Sequence, residues 1–222
     1  MRDWSMGPTQ EFERVARRCG YRRIAGIDEA GRGPLAGPVI AAAVILPTRC
    51  RPLGINDSKQ LSAKDREAVY AAILEQAVAI GIGSADVTEI DQLNILRATR
   101  LAMRRAVDQL GPPADYLLID AVVLSGLTVP TRPIIKGDSL SVSIAAASIV
   151  AKVTRDRLMA AYHETFPEYG FLFHKGYGTA EHLARLARHG PCSIHRRTFS
   201  PVQEVMIASK VRSASQESSK LF

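Results

Sequence analysis

The chain has 222 residues, of which 46% are hydrophobic and 23% are charged, a composition typical of a globular protein with one sizeable core. The 29 Lys and Arg residues exceed the 22 Asp and Glu residues and give a formal net charge of +7, which favours polyanionic partners such as nucleic acids. Cys19, Cys50 and Cys192 show neither zinc-ligand spacing nor a disulfide framework, and no apolar leader is visible, so we predict a cytoplasmic protein.

Short apolar strands mixed with helices predict an α/β domain over residues 1–207. In chain order, the predicted elements are a helix over 10–18, strands over 22–28 and 39–46, a helix over 62–76, a strand over 79–87, a helix over 88–110, strands over 116–120 and 133–136, and helices over 140–163 and 179–189. Thr88 is expected to cap the helix over 88–110. Residues 208–222 are rich in Ser, Lys and Gln, which predicts a disordered tail.

The segment 26–38, Gly-Ile-Asp-Glu-Ala-Gly-Arg-Gly-Pro-Leu-Ala-Gly-Pro, carries the strongest chemical signal. A buried strand here delivers two adjacent acids, Asp28 and Glu29, into a turn, although acids are seldom buried without a partner or a metal ion. The turn places an arginine between two glycines: Gly31, Arg32 and Gly33. Glycines let the backbone approach a ligand closely. The pattern therefore predicts a divalent metal next to a bound phosphate.

Two further acids follow strand-like segments. Asp120 ends the apolar strand 116–120, and Asp138 follows the strand 133–136. Ligands of open α/β sheets bind at the carboxyl ends of strands, so these acids are expected near Asp28. Four converging carboxylates repel one another unless cations neutralise them, and oxygen ligands suit Mg²⁺ or Mn²⁺. Taken alone, Asp138 equally fits a turn or helix-capping residue.

The position of Glu29 raises a geometric question. Neighbouring side chains of a regular strand point to opposite faces of the sheet. Asp28 and Glu29 can therefore face one site only if the strand twists or bulges at its end, which the glycines of the turn allow. Without such a distortion, Glu29 supports the metal site without being a direct ligand.

Candidate substrate-binding residues lie in polar loops. Tyr177 stands between two glycines in the segment 174–179, where it is available to stack on a sugar or base, although a tyrosine can also anchor its own loop. Ser58 and Lys59 occupy a polar loop and are candidates for a phosphate contact. Arg32 can be an exposed turn cation, but its glycine neighbours favour backbone contact with a substrate.

Several motifs together resemble the ribonuclease HII family, the type 2 ribonucleases H. They are Asp-Glu-Ala-Gly-Arg-Gly-Pro at 28–34, Asp-Ser-Lys at 57–59, Ile-Asp-Ala at 119–121, Lys-Gly-Asp-Ser at 136–139, Ala-Ser-Ile-Val-Ala-Lys at 147–152, Lys-Gly-Tyr-Gly-Thr at 175–179 and His-Arg-Arg-Thr-Phe-Ser-Pro at 195–201. They occur in family order over about residues 22–204. Thr198 departs from the serine usual in the family, at a position without a catalytic role.

The resemblance implies a ribonuclease H-like fold, with a mixed central sheet flanked by helices and extra C-terminal helices. It implies a metal-dependent endonuclease acting on RNA that is paired with DNA or embedded in it. By this resemblance the four metal-binding acids are Asp28, Glu29, Asp120 and Asp138. The ribose-reading turn corresponds to Gly31, Arg32 and Gly33, the junction-sensing tyrosine to Tyr177, and the positions near the substrate backbone to Ser58 and Lys59.

The mechanism expected on this basis is hydrolysis 5′ to a ribonucleotide by two Mg²⁺ or Mn²⁺ ions about 3.5–4 Å apart. One ion lowers the pKa of a water and the other stabilises the leaving 3′-oxygen, giving 3′-hydroxyl and 5′-phosphate products. Two alternatives stay open on the sequence: another nuclease of the same fold, such as a junction resolvase or integrase, and a non-catalytic nucleic-acid-binding module. The final residues, 218–222, resemble peptides that bind the replication sliding clamp, although a frayed end is the simpler interpretation.

Overall fold

Five strands form one mixed sheet at the centre of the protein. In the computed structural model, which describes residues 7–49, 54–55 and 62–218, the strands are β1 (Ile24–Ala30), β2 (Val39–Ile45), β3 (Ala79–Ala85), β4 (Tyr116–Asp120) and β5 (Thr131–Ile134). Their order across the sheet is β3-β2-β1-β4-β5. β1 pairs antiparallel with β2 and parallel with β4, and β5 adds in parallel to β4. The carboxyl ends of β1, β4 and β5 therefore share one edge of the sheet.

Helices cover both faces of the sheet. They are α1 (Glu11–Arg18), α2 (Ala63–Gln76), α3 (Val87–Leu93), α4 (Ile95–Asp108), α5 (Val142–Thr165), α6 (Phe171–His174), α7 (Ala180–His189) and α8 (Ser200–Ser218). α4 packs on one face through Ala98, Ala102 and Met103, whereas α5 and α2 pack on the other. The predicted α/β class, with a mixed sheet between helices, is confirmed.

The long helix α5 lies almost in contact with the backbone of β1. A Cβ atom at Gly26 would lie 2.0 Å from the carbonyl carbon of Ser143 at the start of α5. A neighbouring stretch of α5, Ala145–Ala147, is fully buried alanine. Small residues on both elements therefore allow the close approach, which brings polar residues further along α5 to the carboxyl end of β1.

The helix predicted over 88–110 is wrong in one respect, because it is two helices with a break at Asn94. Asn94 has a φ of 72°, and its side-chain oxygen accepts hydrogen bonds from the amides of Leu96 and Arg97, both at 3.1 Å. Asparagine tolerates this left-handed backbone and makes a good N-cap. The cap of α3 is Asp86, which forms a capping box with Glu89, and not Thr88.

The last helix extends further than the sequence suggests. α8 continues to Ser218, so residues 208–218, predicted to be a disordered tail, are helical. The Ala, Lys, Gln and Glu residues of this stretch favour a helix, and neither Gly nor Pro interrupts it after Pro201. Val202 packs with Leu35 and Leu186. Residues 219–222 lie outside the described residues, and the domain boundary at 207 stays a prediction.

Within the described residues, no helix combines the length and the apolar character needed to cross a membrane.

Candidate active site

Three carboxylates meet at the shared edge of the sheet. Asp28 is only 5% exposed, and its Oδ1 accepts a hydrogen bond from the Glu29 amide at 2.7 Å. Burial raises the pKa of Asp28 well above its ordinary value, and the charges of Glu29 and Asp120 raise it further. Asp120, at the end of β4, accepts a hydrogen bond from the Gly137 amide at 2.7 Å. The structure thus brings Asp28, Glu29 and Asp120 together, as the strand ends predicted.

Glu29 occupies an unusual position for a carboxylate. The pairing of β1 with β2 runs without a bulge from Ala25 to Ala30, yet the Glu29 carboxyl interacts with both Asp28 and Asp120, so the two neighbouring acids reach one site without the bulge that the sequence suggested. Burial raises the pKa of Glu29, the Arg32 charge opposes that shift, and the Asp120 charge adds to it. Arg32 binds Oε1 at 3.2 Å, whereas the buried Oε2 has no hydrogen-bond partner.

The fourth predicted acid, Asp138, lies in the 3₁₀ helix Gly137–Ser139 directly after the amide that binds Asp120. It is buried and accepts a hydrogen bond from the Ser139 hydroxyl at 3.3 Å. In the part of the chain that the structure describes, no three His, Cys, Asp or Glu side chains are already spaced as a metal site. The assignment of Asp138 as a metal ligand stays a prediction.

The residues nevertheless fit a divalent cation. The donors are carboxylate oxygens, the ligands that Mg²⁺ and Mn²⁺ prefer. Oε2 of Glu29 is a buried acceptor without a hydrogen-bond partner among the described residues. The charges of Glu29 and Asp120 disfavour ionised Asp28, and a bound cation would reverse that effect.

A cavity of about 330 Å³ opens beside these acids. Its lining residues are Glu29, Ala30, Gly31, Arg32, Gly33, Arg66, Ser148, Lys152, Arg155 and Tyr177. The predicted turn and the predicted tyrosine therefore line the same cavity. The Tyr177 ring is 45% exposed, and its Cε1 would lie 3.6 Å from a Cβ at Gly33. Ser58 and Lys59 lie outside the described residues.

Four polar lining residues were given no role from the sequence, although two of them lie in the motif 147–152: Arg66, Ser148, Lys152 and Arg155. Three of them belong to α5, at spacings of four and three residues. Residues so spaced share one face of a helix. A polar stripe along a helix that is otherwise apolar almost all round was the available signal. Lys152 also forms an ion pair with Asp156, with 2.6 Å between Nζ and Oδ1.

The turn and the Tyr177 loop are joined by the C-terminal third of the chain. The Leu35 amide donates to Gly176 O at 2.8 Å, the Gly37 amide to Ile194 O at 2.9 Å, and the Arg196 amide to Leu35 O at 2.9 Å. Gly31 has a φ of +98°, and a Cβ there would lie 2.1 Å from Arg155 Nε. Only glycine fits this position without displacing Arg155.

Buried histidines support the Tyr177 loop from below. His182 Nδ1 lies 2.9 Å from the Tyr177 carbonyl oxygen, and its Nε2 lies 3.1 Å from His195 Nε2. The Cys192 amide donates to His195 Nδ1 at 3.1 Å. These contacts require His195 to donate from Nε2 and His182 from Nδ1, so both rings are neutral. Burial, and for His195 also the neighbouring His182, lowers the pKa of both rings to about 4.

The free energy of unfolding is therefore expected to fall in mild acid. In the unfolded chain these histidines take up protons near pH 6.5, whereas the folded protein resists protonation until about pH 4. Their contribution is complete above pH 6.5 and declines, by several kcal/mol, as the pH falls toward 4. Urea unfolding at a series of pH values measures this slope. His182→Gln should flatten it, the exposed His189→Gln should retain it, and an equal slope in both variants would contradict the assignment.

The fold and this edge of the sheet define a protein of the ribonuclease H-like class. Ribonuclease H2 from Pyrococcus horikoshii superposes with a TM-score of 0.71 at 25% identity, covering 82% of this chain and 96% of that one. RNase HII from Archaeoglobus fulgidus, solved as a PCNA:RNase HII complex, gives 0.66 at 24% identity over 78% and 92%. Bst-RNase HIII in complex with Mn²⁺ gives 0.66 at 20% identity over 85% and 70%.

Sequence comparison identifies the family. Ribonuclease HII of Syntrophotalea carbinolica is 58% identical over 88% of this chain and 93% of its own length, and that of Enterococcus faecalis is 59% identical over 88% and 76%. The family model described as Ribonuclease HII matches residues 25–202. The chain belongs to the ribonuclease HII family and is an endonuclease with ribonuclease H activity on RNA–DNA hybrids. The resemblance inferred from the motifs is confirmed.

Proposed function

We propose that this enzyme hydrolyses the phosphodiester 5′ to a ribonucleotide, in RNA–DNA hybrids or in DNA with embedded ribonucleotides, and leaves a 3′-hydroxyl and a 5′-phosphate. The observation that carries this proposal is the placement of two adjacent acids directly before the turn 31–33: Asp28 is buried, and Glu29 lines the same cavity as the turn. Acids at this point can act on a phosphodiester while the turn contacts the adjoining sugar. Neither a junction resolvase nor a simple binding module needs that combination.

Asp28, Glu29, Asp120 and Asp138 would hold Mg²⁺ or Mn²⁺. Two such ions would supply the activation of the attacking water and the stabilisation of the leaving 3′-oxygen. The protein's own part is to hold these oxygen donors rigidly, which the amide hydrogen bonds to Asp28 and Asp120 support. The 2′-hydroxyl is proposed not to be the nucleophile, because its attack would give a cyclic phosphate as the product.

The remaining cavity residues are proposed to bind the substrate. Lys152 and Arg155 bring positive charge to one side of the cavity, where a phosphate fits. The turn 31–33 presents backbone groups to the ribose. A site that hydrogen-bonds a substrate hydroxyl discriminates against the analogue that lacks it by a factor of about 10⁴–10⁵ in kcat/KM. Ser58 and Lys59 stay proposed contacts to the substrate backbone by resemblance.

A cleavage assay on matched duplexes tests the function. The substrates share one sequence and contain a single ribonucleotide, a full RNA strand or only deoxyribonucleotides, each with Mg²⁺, Mn²⁺ or a chelator. We expect cleavage of the first two, none in chelator, and a 5′-phosphate on the downstream product. Cleavage of the all-DNA duplex or of a four-way junction would favour another nuclease of this fold. Binding without cleavage in either metal would favour the binding module.

Tyr177→Ala is expected to reduce cleavage at an isolated ribonucleotide by about tenfold or more. The substitution removes a half-exposed ring beside Gly33, and loss of one stacking contact costs about 1–3 kcal/mol. Single-turnover rates and KM on the single-ribonucleotide duplex measure the effect. Tyr177→Phe keeps the ring and should retain most activity. Wild-type rates for Tyr177→Ala would mean that this tyrosine only anchors its loop.

A weak contact with the replication sliding clamp is also proposed. The solved PCNA:RNase HII complex supports clamp binding as a property of that relative, and residues 218–222 here end in Leu-Phe. Because a contact made by only a few residues buries little surface, the affinity should be modest. Deleting residues 216–222 and measuring binding to the host's clamp tests the proposal. Equal binding, or no binding with either protein, rejects it.

A further inference from the structure

Arg196 is fully buried, with 0% of its surface exposed, and it binds the turn from within the protein. Its Nε donates to the Gly37 carbonyl oxygen at 2.9 Å, and its Nη1 donates to the Arg32 carbonyl oxygen at 2.9 Å. Its Nη2 donates to the carbonyl oxygens of Gly31 and Gly37. Among the described residues, every hydrogen bond that this guanidinium donates goes to a backbone carbonyl oxygen and none goes to a carboxylate.

These hydrogen bonds fix the orientation of two peptide groups. In a trans peptide the C=O and the following N–H point in opposite directions. Because the carbonyls of Gly31 and Arg32 turn inward to Arg196, the amides of Arg32 and Gly33 must point away from it. All three residues line the cavity. Over the described part of the chain, neither amide donates to a protein acceptor.

A guanidinium suits this task better than any other side chain. Three carbonyl oxygens accept hydrogen bonds from this one group, and only arginine presents a rigid planar fork of five donors. Burial, followed by the charge of Arg155, lowers the pKa of Arg196 to about 9, so the group remains cationic at neutral pH. A carbonyl that accepts from a cation makes the N–H of the same peptide a stronger donor, since linked hydrogen bonds polarise one another.

We propose that Arg196 is a positioning residue that sets the preference for ribose over deoxyribose by aiming the amides of Arg32 and Gly33 at the 2′-hydroxyl. Arg196 itself does not reach the substrate. The inference rests on the proposed function, because it assumes that the turn 31–33 contacts the ribose. It adds the residue that orients the turn and the reason why that residue must be an arginine.

The test is equilibrium binding in a chelator, where no cleavage occurs. Affinities are measured for two duplexes of one sequence, with a single ribonucleotide or with none. Arg196→Lys keeps the charge but loses the fork, and its preference for the ribonucleotide should fall about tenfold, the effect of one ordinary hydrogen bond. Its affinity for the all-DNA duplex should stay within about twofold of wild type. The exposed neighbour variant Arg197→Lys is the matched control and should keep the full preference.

Two outcomes overturn the proposal. An unchanged preference in Arg196→Lys means that the arginine only fills space, and an equal loss of both affinities means a general structural defect. If the variant does not fold, NMR of the wild-type protein decides: the amide signals of Arg32 and Gly33 should shift more on binding the ribonucleotide duplex than on binding all-DNA, and equal shifts reject the proposal. Absence of any preference in the wild-type protein would instead contradict ribose recognition in the proposed function.

Discussion

Replacing Asp28 with asparagine is expected to lower kcat about a thousandfold and to raise the melting temperature of the metal-free protein. The activity falls because a metal-ligand charge is lost, and such interactions supply several kcal/mol to the transition state. The stability rises because the folded state raises the pKa of Asp28 through burial and the charges of Glu29 and Asp120. An acid with a raised pKa in the folded state destabilises the protein. This destabilisation grows as the pH rises above the acid's ordinary pKa, and it persists at neutral pH.

Cleavage of the single-ribonucleotide duplex and thermal unfolding in chelator measure the two effects of Asp28→Asn. Asparagine keeps the volume of the side chain, and its oxygen can still accept from the Glu29 amide. The matched control is Asp108→Asn, at an exposed position of α4 remote from the cavity. It should leave kcat unchanged. If Asp28→Asn retains near-wild-type turnover in Mg²⁺, Asp28 is not a metal ligand.

Gly26→Ala is expected to be the most damaging single-methyl substitution described here. The added Cβ would lie 2.0 Å from the backbone of Ser143, so β1 and α5 would have to move apart. A clash with backbone cannot be relieved by a rotamer change, and overpacking of this kind costs about 3 kcal/mol or more. Urea unfolding measures the loss, and cleavage should fall with it because α5 carries Lys152 and Arg155 to the cavity.

The matched control for Gly26→Ala is Gly33→Ala. At Gly33 a Cβ meets only the Tyr177 ring at 3.6 Å, an ordinary van der Waals distance. Its free energy of unfolding should therefore stay within about 0.5 kcal/mol of wild type. Equal stability of the two variants would mean that α5 adjusts to β1 more easily than its buried packing indicates.

The acids were predictable from the sequence because their placement depends on local rules. An apolar strand that ends on a carboxylate, as at Asp28 and Asp120, predicts both that the side chain is buried and that it lies at the carboxyl edge of the sheet. Tyr177 was predictable for a similar reason, since two flanking glycines leave its ring exposed. The proximity of Asp28 to Asp120 was not given by these local rules. It follows from the strand order, because β1 pairs in parallel with β4.

Arg155 and Arg196 could not be predicted in the same way. Each is a buried cation whose partners are backbone carbonyl oxygens, and all of these partners except Lys175 lie more than 100 positions away. Composition and periodicity predict that such arginines lie on the surface, because no local sequence pattern indicates a backbone carbonyl as the partner of an arginine. The break at Asn94 is an intermediate case: the residue type allows the left-handed cap, but no Gly or Pro between residues 88 and 110 marks the end of a helix.

The attachment of the turn to the C-terminal third has a consequence for biosynthesis. The turn after β1, residues 31–37, is translated early, yet Gly176, Ile194 and Arg196, which bind it, are translated more than 130 residues later. Contacts so distant in sequence close late in folding. A ribosome-bound chain that has released β1 and β4 therefore holds its acids without an ordered turn. Selective cleavage is therefore expected only once Arg196 and the residues before it have left the ribosome and bound the turn.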